Sequence, residues 1–141
     1  MKTPTFLRSG LFFLAGLAAI IAFAADEFSH SYIAVINVVQ DGSSNRLFTA
    51  GDSAATVMSK LDQPHYMFSQ SVWLYRNFPA PPKEEAGMHF CDNLVISFGP
   101  GKKLSDQKVT AIVLANAAGL KKIEKGLKQN PRYLEDLQTG Y

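Results

Sequence analysis

Cysteine is nearly absent from this chain: one residue in 141. A lone thiol excludes an intramolecular disulfide framework and a four-thiolate zinc site within one chain. An excess of charge of one sign is missing too. Fourteen basic residues stand against 12 acidic ones, a formal +2 at pH 7, which is not the balance of a strongly cationic nucleic-acid binder. Charged residues are 18% and hydrophobic residues 47% of the chain, so it is not a polar disordered tail. No repeat is visible and no linker divides the sequence into two cores, and the length fits one domain.

What is present starts with the first 25 residues. Lys2 and Arg8 give a short positive region, and no acid precedes Asp26. Leu11 to Ile21 is apolar without interruption and leads to Ala22-Phe23-Ala24, small residues at the two positions a signal peptidase reads. Residues 1–24 are therefore expected to be a secretory signal peptide, which places the protein in the periplasm or outside the cell. The alternative is a retained single-pass anchor. The apolar stretch from Leu11 to Ala25 is 15 residues, shorter than the roughly 20 that span a bilayer core. Cleavage after Ala24 leaves 117 residues with 12 basic and 12 acidic side chains, unevenly spread. Residues 25–99 carry four basic and eight acidic groups, and residues 100–141 carry eight and four.

Residues 25–141 are expected to form one small α+β domain, an antiparallel sheet of about four to five strands with two or three helices on one face. The β-branched and aromatic run Ser31–Val39 predicts a strand, Asp41–Asn45 a turn, and Arg46–Thr49 a short return strand. Asp52 or Ser53 caps a helix whose apolar positions Ala54, Val57, Met58 and Leu61 follow helical spacing, with Pro64 beyond its end. His65–Phe78 reads as one or two strands with a turn near Gln70. Pro79-Ala80-Pro81-Pro82 forces an extended link, and Met88–Phe98 is a further strand. Two readings compete for the next stretch. Either Ser105 caps a long helix, with Leu104 and Val109 as a hydrophobic staple, or Lys108–Leu114 is a strand followed by a helix capped by Asn116. Gly119 and Gly126 would each cost a helix interior about 1 kcal/mol. Asn130 and Pro131 predict the start of a last helix, and Gly140 its end.

Four residues suggest a metal site. His65 and Met67 are spaced i, i+2, as are His89 and Cys91, so on strands each pair shares one face. Two imidazoles, a thioether and a thiolate suit copper. The plain alternative is that Met67 and Cys91 fill a core and the histidines only hydrogen-bond. Gly51-Asp52-Ser53 resembles the opening motif of a family of serine esterases, but that family needs a later aspartate and histidine, and no histidine follows His89. Cys91 and His89 lie on one strand about 6–7 Å apart, too far for ready proton transfer. The acidic pairs Asp26-Glu27, Glu84-Glu85 and Glu135-Asp136 read as solvated surface. Gly99-Pro100-Gly101-Lys102-Lys103 lacks the spacing of a phosphate loop.

No catalytic set is complete, so the leading expectation is a non-enzymatic exported binding protein: an inhibitor, an immunity protein or an accessory subunit of an envelope complex. Its partner would be another protein, not nucleic acid, with membrane contact only if the leader is retained. Trp73 and Tyr75 are candidates for an exposed recognition ledge, and Lys121, Lys122 and Lys125 for a basic partner surface. No cofactor is expected on this reading. The alternatives are a periplasmic copper-binding protein using His65, Met67, His89 and Cys91, and a membrane-anchored subunit of a larger complex.

Overall fold

The computed structural model describes residues 30–78 and 91–140. The expected leader, the proline-rich link at residues 79–82 and residues 88–90 of the expected strand Met88–Phe98 lie outside the described residues. All elements below belong to the unit formed by residues 31–141. In chain order they are β1 (Ile33–Ile36), β2 (Val38–Gln40), β3 (Arg46–Thr49), α1 (Ala54–Leu61), β4 (Tyr66–Ser69), β5 (Val72–Tyr75), β6 (Asn93–Phe98), β7 (Val109–Ala115), α2 (Ala117–Gln129) and α3 (Tyr133–Thr139). Five strands form one antiparallel sheet in the order β1-β7-β6-β5-β4, and β2 and β3 form a separate pair. The small α+β domain with an antiparallel sheet is thus present, and α2 and α3 share one face of it.

Alternation along β6 and β7 sends side chains to two buried faces. Leu94, Ile96, Ile112 and Leu114 meet Val39 of β2, Phe48 of β3, and Ala54 and Val57 of α1. Val95, Ala111 and Val113 meet Ile123 of α2 and Leu134 of α3 on the opposite face. Helix α1 therefore does not join the other two helices. It packs with the β2–β3 pair across the sheet from them.

The expected strand Ser31–Val39 breaks at Asn37. The Asn37 carbonyl accepts from Ala50 N at 3.0 Å and from Thr49 Oγ1 at 2.8 Å, which turns the chain out of the large sheet and onto β3. The turn that follows is held by Asp41, whose carboxylate accepts from Ser43 N at 2.8 Å and Asn45 N at 2.9 Å. Those amides, Asn45's foremost, hold the Asp41 carboxyl below its ordinary value. Ser53 caps α1, accepting from Thr56 N at 3.1 Å, while Asp52 turns back to Thr49 N at 2.9 Å.

Of the two readings for residues 105–127, the strand followed by a helix is the one adopted. The β-branched run Val109–Val113 takes the pleated geometry it packs best in, and Asn116 caps α2 by accepting from Gly119 N at 2.8 Å. Asn130, expected to cap the last helix, closes α2 instead. Its backbone N–H reaches the Gly126 carbonyl, and its side chain accepts from Arg132 N and donates to Asp136. Gly140 ends α3 at φ 71°, a left-handed position where glycine carries no Cβ penalty.

The two glycines of α2 have a packing reason. A Cβ on Gly119 would stand 2.5 Å from the Tyr32 carbonyl oxygen, and one on Gly126 would stand 2.6 Å from the Tyr133 ring. Gly119 is the tighter constraint because its neighbour is backbone. That backbone is itself fixed: Tyr32 N donates to Asn116 Oδ1 at 3.0 Å, and Asn116 N donates to the Tyr32 carbonyl at 3.1 Å. Gly119→Ala is therefore expected to destabilise the domain by about 1–3 kcal/mol through overpacking, even though alanine is the better helix former by about 1 kcal/mol. Urea denaturation of the variant against wild type measures the sign.

Candidate functional site

The described residues of the expected metal set do not converge. His65 and Met67 share a face of edge strand β4, since Met67 is opposite Trp73 and the His65 ring meets Tyr75 edge-on at 6.3 Å. His65 Nδ1 accepts from Arg76 N at 3.0 Å. That bond leaves the proton of the neutral ring on Nε2, the reverse of what a metal ligand at Nε2 needs. Cys91 is fully buried and its Sγ lies 3.8 Å from the Tyr32 carbonyl. Tyr32 leads into β1, at the opposite edge of the sheet from β4. Burial pushes the Cys91 thiol up, away from the thiolate that copper needs. His89 lies outside the described residues. His65, Met67 and Cys91 therefore have no common point, because the sheet order carries the cysteine side chain away from the β4 pair.

Trp73 and Tyr75 are core residues, not a ledge. They are 1% and 3% exposed. Along β4 the face they share carries His65 and Met67, but along β5 it meets α1 and the β2–β3 pair. Each ring finds a backbone acceptor for its polar atom, which removes the cost of burying it. Trp73 Nε1 donates to the Gln70 carbonyl at 3.2 Å, and the Tyr75 hydroxyl donates to the Asp62 carbonyl at 2.9 Å. Trp73 also packs on Phe98 with ring centroids 4.5 Å apart.

Lys121, Lys122 and Lys125 are all exposed on α2. Ile123, on the opposite side of the helix, is wholly buried against the sheet. Lys121, Lys125 and the exposed Lys128 follow i, i+4, i+7 spacing and so form one stripe, with Lys122 beside it. The helix beneath them is fixed at its start by Asn116 and Gly119.

A polar constellation that the sequence did not announce lies under α3. A cleft of about 390 Å³ is lined by Ser69 and Ser71 from the β4–β5 turn region, Ser97 of β6, Thr110 of β7, and Arg132 and Glu135 at the start of α3. The Ser97 and Thr110 hydroxyls each donate to Glu135 Oε2 at 2.7 Å, and their oxygens stand 3.3 Å apart. Bonds to a carboxylate are the stronger class, and this pair ties the helix to two strands at once. Glu135 Oε1 is buried and has no hydrogen-bond partner among the described residues.

Two bulges aim these hydroxyls. Ser97 pairs with Ala111 and Phe98 with Val109, so Thr110 is an extra residue that leaves the alternation, and its hydroxyl reaches the carboxylate Ser97 reaches. On β4, Met67 is opposite Trp73 and Ser69 opposite Val72, so Phe68 is the extra residue and Ser69 joins the Val72 side. The Glu135-Asp136 pair is thus only half solvated surface: Asp136 is exposed, while Glu135 is turned into the fold. The signal that was there is Ser97, a serine on the same face as Val95 inside a strand with no exposed position.

Compared with known proteins, the chain matches no family model, no curated protein and no solved structure.

Two measurements test this geometry. Glu135→Ala strands two hydroxyls and is expected to cost about 1–3 kcal/mol in urea denaturation, with Glu135→Gln, which keeps an acceptor, losing less. Tyr75 titrates well above the ordinary tyrosine value, first because it is buried and second because Asp62 is near. A pKa raised on folding makes the stability it contributes complete below the unfolded value of about 10 and lost as pH rises through that value toward the folded one. Unfolding free energy is therefore expected to fall above pH ~10, and Tyr75→Phe to fall less steeply over the same range.

Proposed function

We propose that this chain is an exported binding protein that engages another protein of acidic surface through the outward face of α2. The observation that carries this reading is the lysine stripe: Lys121, Lys125 and Lys128, with Lys122 beside them, all exposed on a helix whose other side is locked to the sheet. Long, strongly hydrated ammonium groups held in a row on a fixed helix attract and orient an acidic partner before contact. They do so without the chain needing a large net charge.

Export is supported by the sequence of the first 25 residues: a basic start, an uninterrupted apolar run and Ala22-Phe23-Ala24. Among the described residues no helix is long and apolar enough to cross a membrane. The mass of the protein recovered from its own envelope fraction separates a cleaved chain from one that keeps residues 1–24.

The same preparation tests the partner. Native mass spectrometry is expected to find a second polypeptide on the wild-type protein. The Lys121→Glu/Lys125→Glu double variant should lose it while its unfolding midpoint stays within experimental error, since exposed substitutions of this kind shift stability by about 0.5 kcal/mol or less. Wild-type binding should weaken steeply with salt. A partner held equally well by the double variant, or held independently of salt, removes the α2 reading.

A further inference from the structure

We propose that the cleft under α3 is a binding site for a small zwitterion of the α-amino acid class, its carboxylate held by Arg132 and its ammonium group turned to the Glu135 side. The inference is independent of the α2 surface. It starts from two opposite charges placed three residues apart that line one cleft. Glu135 is committed to Ser97 and Thr110, which hold its carboxylate against the sheet. Arg132 is exposed at the mouth, a planar donor fork suited to a carboxylate.

The rest of the lining fits such a ligand. Ser69 and Ser71 add two further serines to the lining. Ser69 Oγ accepts from Ser71 N at 3.1 Å, so its own proton remains to be donated. The volume, about 390 Å³, is at the low end for small-molecule sites, which suits a single amino acid better than a nucleotide or an oligosaccharide. A simple anion would satisfy Arg132 and face the Glu135 charge, and a simple cation would do the reverse. A molecule carrying both groups a few bonds apart answers both.

Backbone amide NMR of the purified protein tests this with three related probes: serine, N-acetylserine and serine amide. The first is a zwitterion, the second lacks the ammonium group and the third lacks the carboxylate. Serine is expected to shift the amides of Ser71, Ser97, Gly99, Thr110 and Arg132 in a saturable way and to bind about tenfold or more tightly than either analogue. In Arg132→Gln the advantage of serine over serine amide should disappear. In Glu135→Gln, which retains an acceptor for both hydroxyls, the advantage over N-acetylserine should disappear. The Lys121→Glu/Lys125→Glu variant should bind serine as wild type does. Absence of saturable shifts at these amides, equal binding of all three probes, or an unchanged preference in both cleft variants overturns the proposal.

Discussion

Strands β6 and β7 pair over six registered positions from Asn93–Ala115 to Phe98–Val109, and every residue of β6 is withdrawn from water. Most of the other features of the domain follow from that double burial. A strand with one wet face needs one cover, but a strand apolar on both faces needs two. The chain supplies them from opposite ends: the β2–β3 pair and α1 come from before β6, and α2 and α3 come from after β7. Each side chain sealed in this way contributes roughly 1.5–3 kcal/mol. That sum is what offsets the ordering of so many short elements, none of which would hold its conformation alone.

Close coverage explains why α2 carries glycines in its interior. The helix must start where β7 ends and return at once across the sheet, so its first turn runs against the backbone entering β1. Asn116 meets that approach from both directions, with its side chain accepting from Tyr32 and Gly119 and its own N–H donating to the Tyr32 carbonyl. Gly119 leaves room for this contact and Gly126 leaves room for the Tyr133 ring of α3. Helix propensity is thus spent locally to gain a fixed helix position. A fixed position is what turns a row of exposed lysines into a surface with a defined geometry.

Much of the fold was legible because local chemistry and tertiary packing agreed. Arg46–Thr49, the Ser53 cap, the turn near Gln70, the Asn116 cap and the Gly140 stop all rest on backbone preferences that neighbours in space reinforce. The break at Asn37 was not legible, since one asparagine between Ile33–Ile36 and Val38–Val39 does not by itself end a strand, and it is the bonds from Thr49 and Ala50 to its carbonyl that separate the halves. Trp73 and Tyr75 misled for a related reason. Alternation places His65, Met67, Trp73 and Tyr75 on one face, as the structure does, but the polarity of that face along β4 reports an edge strand while along β5 it lies under α1. The helix that buries them comes from before β4, and nothing within the alternating run records it. A spacing of i, i+2 within each strand does not specify strand order, which is what separates the Cys91 side chain from His65 and Met67.

The cleft residues escaped the sequence for a deeper reason: the two bulges break the period on which face assignment relies. Alternation puts Thr110 on the opposite face from Ala111, yet its hydroxyl reaches the carboxylate that Ser97 also reaches, because β7 holds one residue more than β6 across that point. The same irregularity governs where the apolar layer can end. Beyond Val95 and Ala111 the face covered by α3 no longer presents two aliphatic strands side by side, so Leu134 seals the last apolar position and the next inward-facing residue of the helix, Glu135, meets hydroxyls instead. A carboxylate there can be held only if donors are waiting for it, and Ser97 and Thr110 are those donors. The bulge, the serine inside a buried strand and the inward glutamate are therefore one structural solution, and Arg132 stands exposed beside it.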